Sequence, residues 1–200
     1  MNFDFTENYI LENERVRLEP LQESDFEKLL PYSENEPEIW EFNSGGANGK
    51  QNLEKYIANA FLQRETKREY PFIVFDKTTQ QYVGSTRFYA IFIENKTIEI
   101  GYTWYGKKYQ GTGINKNCKY LLLEFAFDKL RMERVGFAAN SKNERSLNAM
   151  KRIGCFVEGV LRNSGTDANG NRIDTTRLSI LKNEWNDNVK SNLKKNIEID

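Results

Sequence analysis

Residues 99–129 read EIGYTWYGKKYQGTGINKNCKYLLLEFAFDK, and this stretch decides the fold. Ile98, Ile100, Tyr102 and Trp104 alternate with Glu99, Gly101 and Thr103 at the period of two that a pleated strand imposes. On that period Glu99, Gly101 and Thr103 share a face opposite Ile100 and Tyr102. Residues 106–113 then form a loop with three glycines, two lysines and a glutamine. From Ile114 the apolar spacing becomes helical, with Ile114, Cys118, Leu121, Leu122, Phe125 and Leu130 on one face. The first turn of a helix has N–H groups without intrahelical partners and carries the positive end of the dipole, so it attracts anions. Gly111 and Gly113 carry no Cβ to obstruct a phosphate and can adopt positive φ. A phosphate or pyrophosphate cradle is one reading of the loop. An ordinary strand-to-helix turn that needs glycine for its geometry is the other.

Two phosphate loops do not fit. A Walker-type loop ends in Gly-Lys-Ser/Thr, whereas Gly113 is followed by Ile114 and Asn115. The dinucleotide fingerprint Gly-x-Gly-x-x-Gly would require glycine where Lys116 stands. Gln110-Gly111-Thr112-Gly113-Ile114-Asn115 instead resembles the Gln/Arg-x-x-Gly-x-Gly/Ala loop of the GNAT superfamily of N-acetyltransferases, with Asn115 in place of the final small residue. The resemblance implies that Gln110, Gly111, Thr112, Gly113, Ile114 and Asn115 hold the pyrophosphate of acetyl-coenzyme A, the co-substrate.

The composition sets bounds of its own. Two hundred residues suffice for one domain with a sizeable core, expected over about 14–185 with a solvated, partly frayed tail at 186–200. The 29 basic and 29 acidic residues cancel, so neither nucleic acid nor an anionic membrane is expected as a partner. The chain lacks a long apolar run, and its acidic N-terminal segment is unlike a secretion signal, so a cytoplasmic location is expected. Cys118 and Cys155 are too few for a zinc site or a disulfide framework and read as reduced core residues; no metal is expected. There is no histidine, which excludes a histidine base and leaves carboxylates as the leading proton acceptors.

In chain order, residues 15–20 alternate as a first strand. Ser24 can cap a helix running to about residue 32, and a polar loop occupies residues 43–49. Leu53, Tyr56, Ile57, Ala60 and Phe61 give a second helix over 51–67. Strands follow at 70–75, at 82–93 with a bulge at Gly84, and at Glu99, in antiparallel succession. Residues 134–139 come after the central helix and so predict a strand parallel to the one at Glu99. A hairpin with its turn at 167–170 completes the sheet. The expected class is α/β (α+β), a mixed and mostly antiparallel twisted sheet with helices on both faces, the order of the GNAT fold.

Residues 143–154, NERSLNAMKRIG, resemble the family's Asn-x-x-Ala/Ser-x-x-x-Tyr-x-x-x-Gly-Phe segment, whose helix lies along the pantetheine arm. Asn143, Ser146 and Gly154 keep the register; Met150 replaces the tyrosine that reprotonates the thiol, and Cys155 replaces the phenylalanine. Asn143 is therefore both a coenzyme contact by resemblance and a helix N-cap by residue type. Glu158-Gly159-x-x-Arg162, Asp174, Ser179 and Glu184-Trp185 are similar to the branch that acetylates ribosomal-protein N-termini and assorted small amines, with Leu178 at its usual tyrosine position.

Acetyl transfer to an amine needs a base, donors for the tetrahedral oxyanion and help for the leaving thiolate. Backbone N–H groups around Thr103 and Trp104 are the expected oxyanion donors and pantetheine contacts. Glu99 is the candidate base, its alternative role being a cross-strand ion-pair partner. Ser146 is the candidate on the leaving-group side, its alternative a serine supporting the helix start. The expected partners are acetyl-coenzyme A and an amine acceptor, either a protein or peptide α-amine or a small amine; a homodimer is left open. Lysine, with pKa ~10.4, costs roughly 4 kcal/mol to deprotonate at neutral pH, against about 1 kcal/mol for an α-amine. The α-amine suits a chain without histidine. Trp40, Phe42 and Tyr56 are candidates for the acceptor wall, and the Glu34, Glu36, Glu38 and Glu41 patch keeps polyamines open. A coenzyme A-binding sensor without catalysis is the non-enzymatic alternative.

Overall fold

The computed structural model describes residues 3–43, 46–167 and 170–198. Ser44 and Gly45 of the expected polar loop, and Ala168 and Asn169 of the expected hairpin turn, lie outside them. The described strands are β1 (Leu11–Glu12), β2 (Val16–Pro20), β3 (Tyr70–Asp76), β4 (Gln81–Phe92), β5 (Thr97–Tyr105), β6 (Arg134–Asn140), β7 (Phe156–Thr166) and β8 (Arg172–Leu181). They form one sheet in the order β1-β2-β3-β4-β5-β6-β8-β7. The β5–β6 pair is parallel and every other pair is antiparallel, as the helix between those two strands predicts.

Helices α1 (Phe26–Asn35) and α2 (Lys50–Glu65) cover one face, where Leu29, Trp40, Leu53, Ile57, Ile73 and Trp104 pack together. The helices α3 (Ile114–Glu124) and α4 (Glu144–Arg152) cover the other, over Val16, Leu18, Phe88, Ile98, Ile100 and Phe137. Ser24 is not the cap of α1. It sits in a 3-10 turn, Glu23–Asp25, and the Asp25 carboxylate accepts from Gln22 N at 2.8 Å instead. The expected bulge at Gly84 is present: Val74 pairs with Gly84 and Phe75 with Tyr82, leaving Val83 over. Gly84 is required there, since a Cβ would lie 2.1 Å from Trp104 O.

Two further expectations are corrected. Residues 186–198 are helical, continuing α5 (Lys182–Glu184) through a π segment (Trp185–Val189) into α6 (Lys190–Glu198). Trp185, Val189 and Leu193 recur every four residues and are buried, with Ile197 packed beside them, so this end belongs to the core. Asp128 fixes it, accepting from Trp185 Nε1 at 3.1 Å and from Lys190 Nζ at 2.5 Å. At the other end Phe3 is buried among Tyr70, Phe88 and Phe125, so the core also begins before residue 14.

The second correction concerns the faces of β5. Ser85 pairs with Trp104 but Arg87 with Gly101, so Tyr102 and Thr103 both stand against Thr86. This bulge inverts the alternation from Tyr102 onward. Thr103 turns toward α3, while Tyr102 and Trp104 turn toward the α1–α2 face. Thr103 therefore does not share a face with Glu99.

Candidate active site

β5 and β6 pair only over Thr97↔Arg134, Ile98↔Val135 and Glu99↔Gly136. Beyond that point the strands part, and a cavity of about 240 Å3 opens between residues 100–105 of β5 and 137–140 of β6. The β5 bulge forms its wall. Tyr102 has a φ of 50°, a left-handed conformation costing a non-glycine residue roughly 1–2 kcal/mol. It is clamped from both faces. The Arg87 guanidinium lies 4.2 Å from the Tyr102 ring centroid and 4.7 Å from that of Tyr56, and its NH1 donates to Glu69 Oε2 at 2.6 Å. On the opposite face Thr103 Oγ1 lies 2.8 Å from Thr86 Oγ1 and accepts from Lys119 Nζ at 2.9 Å.

The glycine loop closes one end of the cavity. Gly111 and Gly113 have φ of 78° and 85°, and Gly113 is the N-cap of α3. A Cβ on Gly111 would meet nothing within 4 Å, so the space before the loop is open. Asn117 N returns to Gly113 O at 3.1 Å, and the N–H groups of the first turn before it have no intrahelical acceptor. Gln110 Nε2 donates to Tyr105 O at 3.0 Å, and its Oε1 accepts from Arg145 NH1, which brings a cation from α4 to the same place. Thr112 Oγ1 donates to Tyr109 O at 2.7 Å, and Asn115 Oδ1 accepts from the Tyr105 hydroxyl at 3.4 Å. The N-terminus of α3, the open space before Gly111 and the Arg145 guanidinium fit a pyrophosphate.

Of the residues singled out from sequence, Thr103, Trp104, Gln110, Gly111, Asn115, Asn143 and Ser146 line this cavity, together with Met150. Thr112, Gly113 and Ile114 are not among the lining residues: Thr112 is exposed, Gly113 half-buried and Ile114 wholly buried. Asn143 caps α4, its Oδ1 accepting from Ser146 N at 3.0 Å. Glu99 lies outside the cavity lining: it reaches across Gly136, and its Oε1 accepts from Arg177 of β8. Its Oε2 is buried without a hydrogen bond from a described residue. The neighbouring Tyr89 phenol is pushed well above its ordinary pKa by burial and by the Glu99 charge. Cys118 and Cys155 are buried thiols, each pushed up to about 12 by burial, as core cysteines should be.

Phe42 lines the cavity, whereas Trp40 packs on Trp104 with ring centroids 4.6 Å apart, and Tyr56 accepts from Trp104 Nε1 at 3.3 Å. Lys119 and Arg145 line the cavity but were not singled out from sequence. Arg145 lies inside the NERS segment, where its charge could have drawn notice. Lys119 lies one position from the apolar stripe of α3 and carries no such signal.

Residues 15–155 match the acetyltransferase (GNAT) domain family. Over 91 residues the chain is 38% identical to the "Putative ribosomal N-acetyltransferase YdaF" of Bacillus subtilis (strain 168), a match covering 46% of this chain and 49% of YdaF, about half the length of that relative. It is 25% identical over 179 residues to the "Uncharacterized N-acetyltransferase p20" of Bacillus licheniformis, covering 88% of this chain and 97% of p20. The crystal structure of a "putative acetyltransferase" from T. thermophilus superposes with a TM-score of 0.84 at 31% identity, covering 94% of this chain and 96% of that one. The family match takes in the parted strands, the glycine loop and α4, and with them the chain belongs to the GNAT family of acetyl-coenzyme A-dependent N-acetyltransferases.

Proposed function

We propose that this acetyltransferase moves the acetyl group of acetyl-coenzyme A directly, in a ternary complex, to the α-amine of a protein or peptide, and that the chain acts as one acetyltransferase domain. The observation that carries the reading is the cavity between β5 and β6, lined by Gln110 and Gly111 of the glycine loop as well as by Ile39, Phe42 and Asn43. In this reading the α3 start and the loop residues Gln110, Gly111, Thr112, Gly113, Ile114 and Asn115 hold the pyrophosphate. Asn143 borders the pantetheine arm, which extends β5 at Thr103 and Trp104, where backbone N–H groups face the acetyl oxygen.

Glu99 is the proposed base. Arg177 engages its Oε1, and Oε2 is left to take the acceptor's proton through water. Ser146 hydrogen-bonds the leaving sulfur. The α-amine is favoured by the deprotonation cost set out above and by the ribosomal acceptor in the name of YdaF. Against polyamines, none of Glu34, Glu36, Glu38 and Glu41 lines the cavity. Glu36 Oε2 accepts from Lys107 N at 2.7 Å and Glu38 Oε1 from Lys107 Nζ at 2.8 Å, so half of the acidic patch is already engaged. Thiol release from acetyl-coenzyme A is to be compared for peptides with a free α-amine, the same peptides N-terminally blocked but containing lysine, and spermidine. The free α-amine is expected to react fastest; a faster rate with either alternative overturns the acceptor assignment.

A further inference from the structure

Lys119 is 5% exposed, yet its ammonium is paired with no carboxylate among the described residues. Its Nζ donates to Thr103 Oγ1 at 2.9 Å and lies 5.6 Å from the centroid of the Phe137 ring. Thr103 belongs to β5 and Phe137 to β6, so the amine stands where the two strands part. Met150, at the position where many family members carry a proton-donating tyrosine, lines the same cavity and has no proton to give. A serine hydroxyl such as Ser146 can hydrogen-bond a sulfur but is a poor proton source at neutral pH.

We propose that the Lys119 ammonium is the acid that protonates the departing coenzyme A thiolate, a catalytic role that rests on the acetyl-transfer reading above. The acceptor nitrogen bonds to the acetyl carbon. The C–S bond then breaks, its electron pair stays on sulfur, and a proton passes from Nζ to give the free thiol and a neutral lysine. The proton released by the acceptor nitrogen, accepted first by Glu99 through water, is passed back by water to Nζ, so both residues regain their starting states, one proton moves in total from acceptor to thiol and no other reagent is consumed. Burial lowers the Lys119 pKa to about 8; the neighbouring Cys118 on its own helix and Cys155 after α4 would raise it only as thiolates, and both are neutral thiols at pH 7. That value lies close to the ~8.5 of a thiol, so the transfer is nearly balanced in energy.

The test compares Lys119→Met with the wild-type chain. The maximal rate is expected to fall by about 10²-fold or more, with the Kd for acetyl-coenzyme A little changed. The loss should nearly vanish when the donor is the acetyl thioester of a nitrothiophenol, whose thiolate leaves without a proton. Equal losses with both donors, or no loss with either, overturn the assignment. In the coenzyme-free chain carrying 13C-labelled lysine, the resonance missing from Lys119→Met should titrate near pH 8; a midpoint above about 10 also overturns it. Should that variant not fold, the wild-type pH profile decides. The maximal rate should drop as pH rises past 8, and a rate that holds to about pH 9.5 is the contrary result. A wild-type chain that releases no thiol with any amine overturns acetyl transfer itself, whereas an active wild type with an undiminished variant overturns only the role of Lys119.

Discussion

Replacing Glu69 with alanine tests how the β5 bulge is held. Arg87 is 1% exposed, and its charge is met by Glu69 Oε2 at 2.6 Å and by the faces of Tyr56 and Tyr102. Removing one partner of a buried ion pair costs about 3–5 kcal/mol, because the other charge is stranded. Two aromatic faces remain to soften that loss, each worth about 0.5–2 kcal/mol, which places the expectation near the lower end, at about 3 kcal/mol. For a chain of this size that is a fall in Tm of roughly 6–12 °C. Urea unfolding followed by tryptophan fluorescence measures it directly, since Trp104 ends the bulged segment and Trp40 packs on it. Glu69→Ala combined with Arg87→Met has no stranded charge and should recover part of the loss, yet turn over more slowly than the wild type, because the guanidinium that stacks on Tyr102 is gone and Tyr89 alone is left of its aromatic and cationic contacts to hold the left-handed backbone. A cost below about 1 kcal/mol for the single variant, or a double variant no more stable than the single one, refutes the clamp.

Three further outcomes are expected. Gly111→Ala puts a Cβ into open space on a φ of 78°, so it should cost only about 1–2 kcal/mol in stability while raising the Kd for acetyl-coenzyme A; unchanged binding by calorimetry removes the loop from the cradle. Ending the chain after Trp185 loses the burial of Val189 and Leu193, roughly 1.5–3 kcal/mol each, and undiminished stability in urea would return residues 186–198 to the status of a tail. Glu99→Gln should lower turnover by about 10²–10⁴-fold, and an unaltered rate leaves Glu99 as the ion-pair partner of Arg177 alone.

The parts of the fold that were readable from sequence are those written in local pattern. The strand, glycine loop and helix of residues 99–129, the parallel strand after them, the bulge at Gly84 and the Asn143 cap each follow from residues close in the chain. The β5 bulge has no such signature. Tyr102 and Thr103 fit an unbroken alternation, and what inverts them is held by Arg87, Glu69 and Lys119, residues remote in sequence. The lysine- and asparagine-rich composition of residues 186–198 hid a stripe one residue wide.

That misreading and the omission of Lys119 have one cause. A helix with a single apolar stripe reads as half exposed, which leaves its lysines to solvent. α3 is covered on more than its stripe: Tyr120 lies 6.0 Å from Trp185 between ring centroids, Lys116 Nζ donates to Asn196 O at 3.3 Å, and every residue from Asn117 to Leu123 is buried. The cover on one flank is the C-terminal helix taken for a tail. On the other flank the parted strands and α4 close over Lys119. Once α3 is enclosed on both flanks, its polar residues need partners inside. Asn117 has them in Gly113 O at 3.1 Å and Asn13 Nδ2 at 2.8 Å. Lys119 has a threonine hydroxyl and the cavity, a setting that burial alone does not explain and that proton transfer at that point would.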